Sequence, residues 1–146
     1  MKTFLLSSLF FALTFVSFGE EVDEAVIEGV LIERPDGSFL EFLLVESKIQ
    51  CNFYNEKKSP IDPDVDRIAV RMERTQPRVR KVLAVAVPEA GEPGLRSPIF
   101  VQLPHLFRAY LSLMRDGIDD PVEFYLIYYP QDLTASEPIK IFEPES

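Results

Sequence analysis

The chain has 146 residues, 47% of them hydrophobic, and a net charge of −9 from 15 basic and 24 acidic side chains. That length fits one domain and buries enough surface for a core without covalent staples. The acidic balance works against nucleic-acid and anionic-lipid partners, and with Cys51 as the one cysteine no intrachain disulfide can form.

Residues 1–19 read as a secretory signal peptide. Lys2 gives a short positive start, Phe4 to Phe18 form an apolar run, and Ser17 and Gly19 stand at the two small-residue positions before a cut. An apolar run of about fifteen residues is short for a membrane span, which needs about twenty, so none is expected in the mature chain. Cleavage would remove one lysine and no acid, leaving residues 20–146 as one domain with a charge of −10. Export to a bacterial periplasm or the extracellular space is the expectation. The chain also lacks an Asn-x-Ser/Thr sequon, which leans toward the periplasm.

The remainder alternates short apolar runs with turn residues, as all-β chains do. Residues 25–33 and 39–46 predict two strands joined by Arg34-Pro35-Asp36-Gly37-Ser38, in which Pro presets a turn and Gly accepts positive φ. Residues 48–54 alternate Ile49, Cys51 and Phe53 against Gln50, Asn52 and Tyr54; residues 55–66 read as a loop. Ile68, Val70 and Met72 alternate with Arg67, Arg71 and Glu73, and the Val/Ala-rich 79–87 segment predicts a strand covered on both faces. Residues 88–98 hold three prolines and two glycines and read as a loop, followed by a short strand at 99–103.

Residues 104–116 fit two patterns. Leu106, Phe107, Tyr110, Leu111 and Met114 follow helical spacing, whereas Phe107, Ala109, Leu111 and Leu113 alternate as in a strand. The surrounding run of strands favours the strand, with an α+β fold carrying one helix at 104–116 as the alternative. Residues 122–129 form the next strand, and residues 139–142 an edge strand of the kind that adds to a partner's sheet; beyond 130 the chain is otherwise a polar tail. Seven to nine short strands resemble an immunoglobulin-like two-sheet antiparallel sandwich. The resemblance is architectural, because the Cys…Trp…Cys core signature is missing: there is one Cys and no Trp.

Three groups of side chains invite chemistry. Asp62, Asp64 and Asp66 have the alternate spacing of a Ca²⁺ loop, with Glu73 at its twelfth position, but Arg67 stands where that loop needs glycine. Arg67, Arg71, Arg74, Arg78 and Arg80, followed by Lys81, form a basic cluster in an acidic chain, suited to an anionic partner because guanidinium forks match carboxylates. His105 is the one histidine, so Ser-His-Asp or Cys-His catalysis would have to use it, and no nucleophile motif accompanies it. One His and one Cys cannot make a zinc site. Cys51 reads as a buried small hydrophobe, or else as half of an intermolecular disulfide. Tyr125, Tyr128 and Tyr129 offer a sugar-stacking platform, weakened by the lack of Trp. The expectation is a non-enzymatic exported domain that binds a protein partner through the arginine face, or serves as an accessory domain of an envelope assembly, and carries no cofactor, with a small-ligand or Ca²⁺ binder as the alternative.

Overall fold

The structure, a computed structural model, describes residues 26–74 and 80–140. The expected signal segment at 1–19, Arg78 and residues 141–142 of the expected edge strand lie outside the described residues. Nine strands follow in order: β1 (Val30–Glu33), β2 (Phe39–Val45), β3 (Lys48–Tyr54), β4 (Pro60–Ile61), β5 (Arg67–Arg74), β6 (Arg80–Pro88), β7 (Leu95–Phe100), β8 (Phe107–Met114) and β9 (Glu123–Tyr129). A 3-10 turn at Gln131–Thr134 follows β9. Among the described residues no helix is long and apolar enough to cross a membrane.

The strands form one path, β1-β2-β3-β7-β6-β5-β8-β9, with β4 added to β3. Every pairing between strands is antiparallel. Strand β6 turns the sheet on itself: residues 80–86 pair with β5, while Val87 and Pro88 pair with β7. On the far side Ile139 bridges Ile32 of β1 in parallel, accepting from the Glu33 N–H (2.9 Å) and donating to the Leu31 carbonyl (3.0 Å). The molecule is therefore a nearly closed antiparallel sheet. The all-β class and the number of strands match the expectation; a two-sheet immunoglobulin sandwich is a finer statement that this continuous path does not confirm.

Alternation fills the interior. Val30, Ile32, Leu40, Phe42, Ile49, Cys51, Phe53, Ile68, Val70, Leu111, Leu113, Tyr125 and Ile127 belong to one buried cluster. Phe107 stacks on Tyr129 at 5.0 Å between ring centres, and Phe42 meets both edge-on at 6.4 and 6.2 Å. The 104–116 ambiguity resolves to strand: β8 pairs with β5 on one side and β9 on the other, and Phe107, Ala109, Leu111 and Leu113 are all buried. The predicted β1–β2 turn is present, with Gly37 at φ 86° and its N–H donating to the Arg34 carbonyl (3.0 Å).

Several local expectations need correction: the expected loop at 55–66 holds the short strand β4 paired with β3, and the first strand begins at Val30 rather than at 25. The strand expected at 99–103 instead spans Leu95–Phe100, inside the expected loop, because Leu95 pairs with Cys51 and is buried. Pro98 is tolerated there because the ladder with β3 skips between Lys48 and Gln50, where a missing N–H costs nothing. Strand β6 is not covered on both faces either. Ala84 and Ala86 point into the core, but Leu83 is 66% exposed, and Val85 and Val87 are exposed too.

Candidate interaction face

The pairing registers of β6, β5, β8 and β9 lay out the outer face of this half of the sheet as rows. One row reads Lys81–Glu73–Arg108–Tyr128, the next Leu83–Arg71–Tyr110–Leu126, and the third Val85–Ala69–Ser112–Phe124. Two rows thus carry mostly apolar side chains, exposed at Leu83 and Val85 and half-buried at Tyr110, Leu126 and Phe124. Tyr110 and Phe124 lie tilted against each other at 6.1 Å between ring centres. With Ala69, Arg71, Leu83 and Ser112 they line a shallow groove of about 210 Å³.

Charge along this face is not balanced. Glu73 is shared by three cations: Arg108 Nη2 at 3.2 Å, Arg71 Nε at 3.6 Å and Lys81 Nζ at 3.9 Å. The Arg71 guanidinium also sits 4.4 Å from the centre of the Tyr110 ring. The three cationic side chains are exposed while that of Glu73 is half-buried, and partly solvated pairs of this kind contribute about 0–1 kcal/mol each.

The predicted basic cluster divides. Arg67 and Arg71 share the outer face as alternation requires, with Arg67 donating to Asp116 at 2.9 Å. Arg74 and Arg80 oppose each other at the other end of β5 and β6, on the inward-pointing side, and line a separate cavity. Arg78 lies outside the described residues. Lys81 of the predicted cluster also lies on the outer face, and Arg108 joins it from β8, whose pairing beside β5 was not visible in one strand's pattern.

The three aspartates do not share a point. Both Asp64 carboxylate oxygens accept from Arg34, at 2.8 and 3.1 Å, and one also accepts from Arg115 at 3.4 Å. Asp66 instead accepts from the Asp116 N–H at 2.6 Å, while Asp62 is exposed. Among the described residues no group of three or more His, Cys, Asp and Glu side chains is placed to hold a metal ion. His105 stands before β8 with Nε2 3.2 Å from the Val101 carbonyl oxygen. Of the three tyrosines, Tyr125 is buried, Tyr129 packs on the core and Tyr128 belongs to the outer face, so they form no common platform.

Two buried polar groups were missed by pattern reading. Arg34, in the first turn, has a side chain only 2% exposed and is gripped by Asp64 and Glu123. Burial alone would lower its basicity, but its bonds to Glu123 and Asp64 outweigh that and hold the guanidinium above its ordinary value. Glu41 points outward from β2 yet is 1% exposed, beneath the chain at Glu28 and Gly29.

Cys51 is buried and free, which leaves it no route to a second chain as the protein stands. Burial, helped by the nearby Glu41 carboxylate, pushes its thiol from an ordinary 9.0 up to about 12. Burial likewise raises Tyr54 and Tyr125, each reinforced by a neighbouring glutamate. Groups raised in this way favour the fold fully below their unfolded pKa and lose that contribution as pH climbs toward the folded value. Unfolding free energy measured by urea titration is expected to fall between pH 9 and 12, by up to about 1.4 kcal/mol per pH unit for each such group. Cys51→Ala is expected to make the decline shallower without removing it, since the tyrosines remain; an unchanged slope would show that the thiol does not contribute.

No protein family, curated protein or solved structure matches the chain.

Proposed function

We propose that this is an exported, non-enzymatic β domain that binds a protein partner across the outer face of β6, β5, β8 and β9. On this reading the nearly closed sheet serves as immunoglobulin-like sandwiches do, as a rigid scaffold with one face given to recognition. The observation that carries it is the row Leu83–Arg71–Tyr110–Leu126, in which exposed Leu83 and Arg71 continue into half-buried Tyr110 and Leu126 among the described residues. Tyr and Arg set among apolar neighbours are the residues that dominate protein–protein binding energy.

Charge favours one occupant. With three cations around a single Glu73, the face calls for carboxylates from the other side. A partner that is apolar at the centre and acidic at the rim fits this description. Export rests on the sequence of residues 1–19.

The test compares the full chain with Arg71→Glu/Leu83→Asp as bait in its native exported fraction. Both substitutions are solvent-facing and are expected to leave the melting temperature within a few degrees of wild type. A partner captured by the wild type is expected to fall at least tenfold with the variant, since one buried hot-spot residue alone is worth about 2 kcal/mol or more. Equal recovery by both baits would discard this face as the site.

A further inference from the structure

A second feature lies at the other end of the β5–β6 hairpin and on its inner side. Following the inner rows outward, Ala84 opposes Val70, then Val82 opposes Met72, and the next pair is Arg80 opposite Arg74. The lining thus changes from apolar to doubly cationic in one step. Met72, Val82, Val101 and Phe107 wall a cavity of about 180 Å³, and the two arginines stand on its lining beside Gln102. Like charges directly opposite each other on a sheet repel, and a folded chain normally sets an acid beside them. Here neither arginine has a carboxylate within salt-bridge distance among the described residues. Both lean on a neutral residue: Arg74 Nη2 donates to the Gln102 main-chain oxygen (3.2 Å), and Arg80 Nη1 to its side-chain oxygen (2.7 Å). In a chain of net charge −9, two such guanidinium groups at an apolar cavity form a site opposite in sign to the net charge.

We propose that this cavity binds a small amphipathic carboxylate, its apolar body against Met72, Val82 and Phe107 and its carboxylate on Arg74 and Arg80. The volume sets the size of the apolar part. The pocket opens to solvent past Val82, Phe100 and Gln102, and set against the cavity of about 150 Å³ that takes up benzene, its volume admits a body of about six carbons, chain or ring. The planar guanidinium fork supplies paired donors to the two carboxylate oxygens. This inference is independent of the outer face, which is on the opposite side of the same strands.

The experiment is titration of the full chain with hexanoate, benzoate, hexanol and acetate, followed by calorimetry and by NMR shifts of the Met72 and Val82 methyl groups. Hexanoate or benzoate is expected to bind and to move those methyls, with hexanol and acetate at least tenfold weaker because each lacks one half of the required chemistry. Arg74→Gln/Arg80→Gln is expected to weaken the acid at least tenfold, and Val82→Trp to abolish binding by filling the cavity. Circular dichroism of each variant separates lost binding from lost fold, and the exposed position of Arg80 favours an intact fold. Acetate binding as well as hexanoate, no binding of either acid, or undiminished binding in the folded arginine variant would each overturn the proposal.

Discussion

Arg34→Met is expected to destabilise the protein by about 3–5 kcal/mol, because it strands two carboxylates that the arginine now neutralises. The guanidinium donates to Glu123 through Nε (3.2 and 3.1 Å) and Nη2 (2.7 Å), and to Asp64 through Nη1 (2.8 Å) and Nη2 (3.1 Å). Its position matters as much as its bonds. Arg34 belongs to the β1–β2 turn, Asp64 to the approach to β5, and Glu123 opens β9, so one side chain ties three distant segments across the side where the sheet fails to close. Glu123 has only 11% of its side chain exposed and bears most of the penalty; Asp64, at 43%, turns to water more readily. The Tyr125 hydroxyl, 3.4 Å from Glu123, offers weak compensation. Replacing Arg34 and Glu123 together, as Arg34→Met/Glu123→Leu, is expected to recover most of the loss, since removing a buried pair entire is often neutral. Urea unfolding of the two single variants and the double closes the cycle. A loss below about 1 kcal/mol for Arg34→Met would mean that the triad does not lock the seam.

Glu41→Ala is expected to cost about 3 kcal/mol by a different route, loss of an acceptor rather than of a charge pair. One carboxylate oxygen accepts from the N–H groups of Glu28 (2.8 Å) and Gly29 (2.9 Å), and the other from Asn52 Nδ2 (3.0 Å) and the Tyr54 hydroxyl (2.8 Å). Four donors thus converge on a single side chain whose burial is set by the chain at Glu28 and Gly29. That approach depends on glycine: a Cβ at Gly29 would collide with the Phe42 carbonyl and the Leu43 side chain. Beyond Asn52 the bonding continues through Gln50 to Arg96, at 2.9 and 2.8 Å, linking β2, β3 and β7 on their outer side. Glu41→Gln separates shape from chemistry. It keeps the volume but turns an NH₂ group toward two donors whichever way it flips, and is expected to lose about 2 kcal/mol. Early proteolysis near residues 26–29 in both variants, measured under native conditions, would accompany the loss; wild-type stability in Glu41→Gln would refute the acceptor account.

Much of the fold was legible because alternation was clean. Arg67 to Glu73, Glu123 to Tyr129 and Ile49 to Phe53 each face as their period-two pattern requires. The β1–β2 turn was legible because Pro, Asp and Gly each serve a separate backbone need. The β2–β3 turn was not: Glu46 and Ser47 take positive φ of 52° and 62° without any Gly or Asn to announce it. Strand β7 was hidden by Pro98, which composition alone assigns to a loop. For the interaction face, Arg67 and Arg71 were visible, but Leu83, Tyr110 and Leu126 were not recognisable as their neighbours. Strand β6 shows why. A Val/Ala-rich run has the same composition whether its second face is packed in the fold or left bare for something else. Arg34 and Glu41 were hidden for the opposite reason: their burial comes from Asp64, Glu123, Glu28 and Gly29, residues far from each in the chain.

The most direct measurement places a photo-activated cross-linker at Leu83 on the outer face, and in a parallel sample at Lys57, which is exposed and off that face. The full chain is irradiated in the exported fraction where the proposed function places its partner, and the products are read by mass spectrometry. One acidic partner protein cross-linked in stoichiometric yield from Leu83, and absent from the Lys57 sample, is the result this account predicts. Equal labelling from both positions, or adducts from Leu83 only to a second copy of the chain, would contradict it.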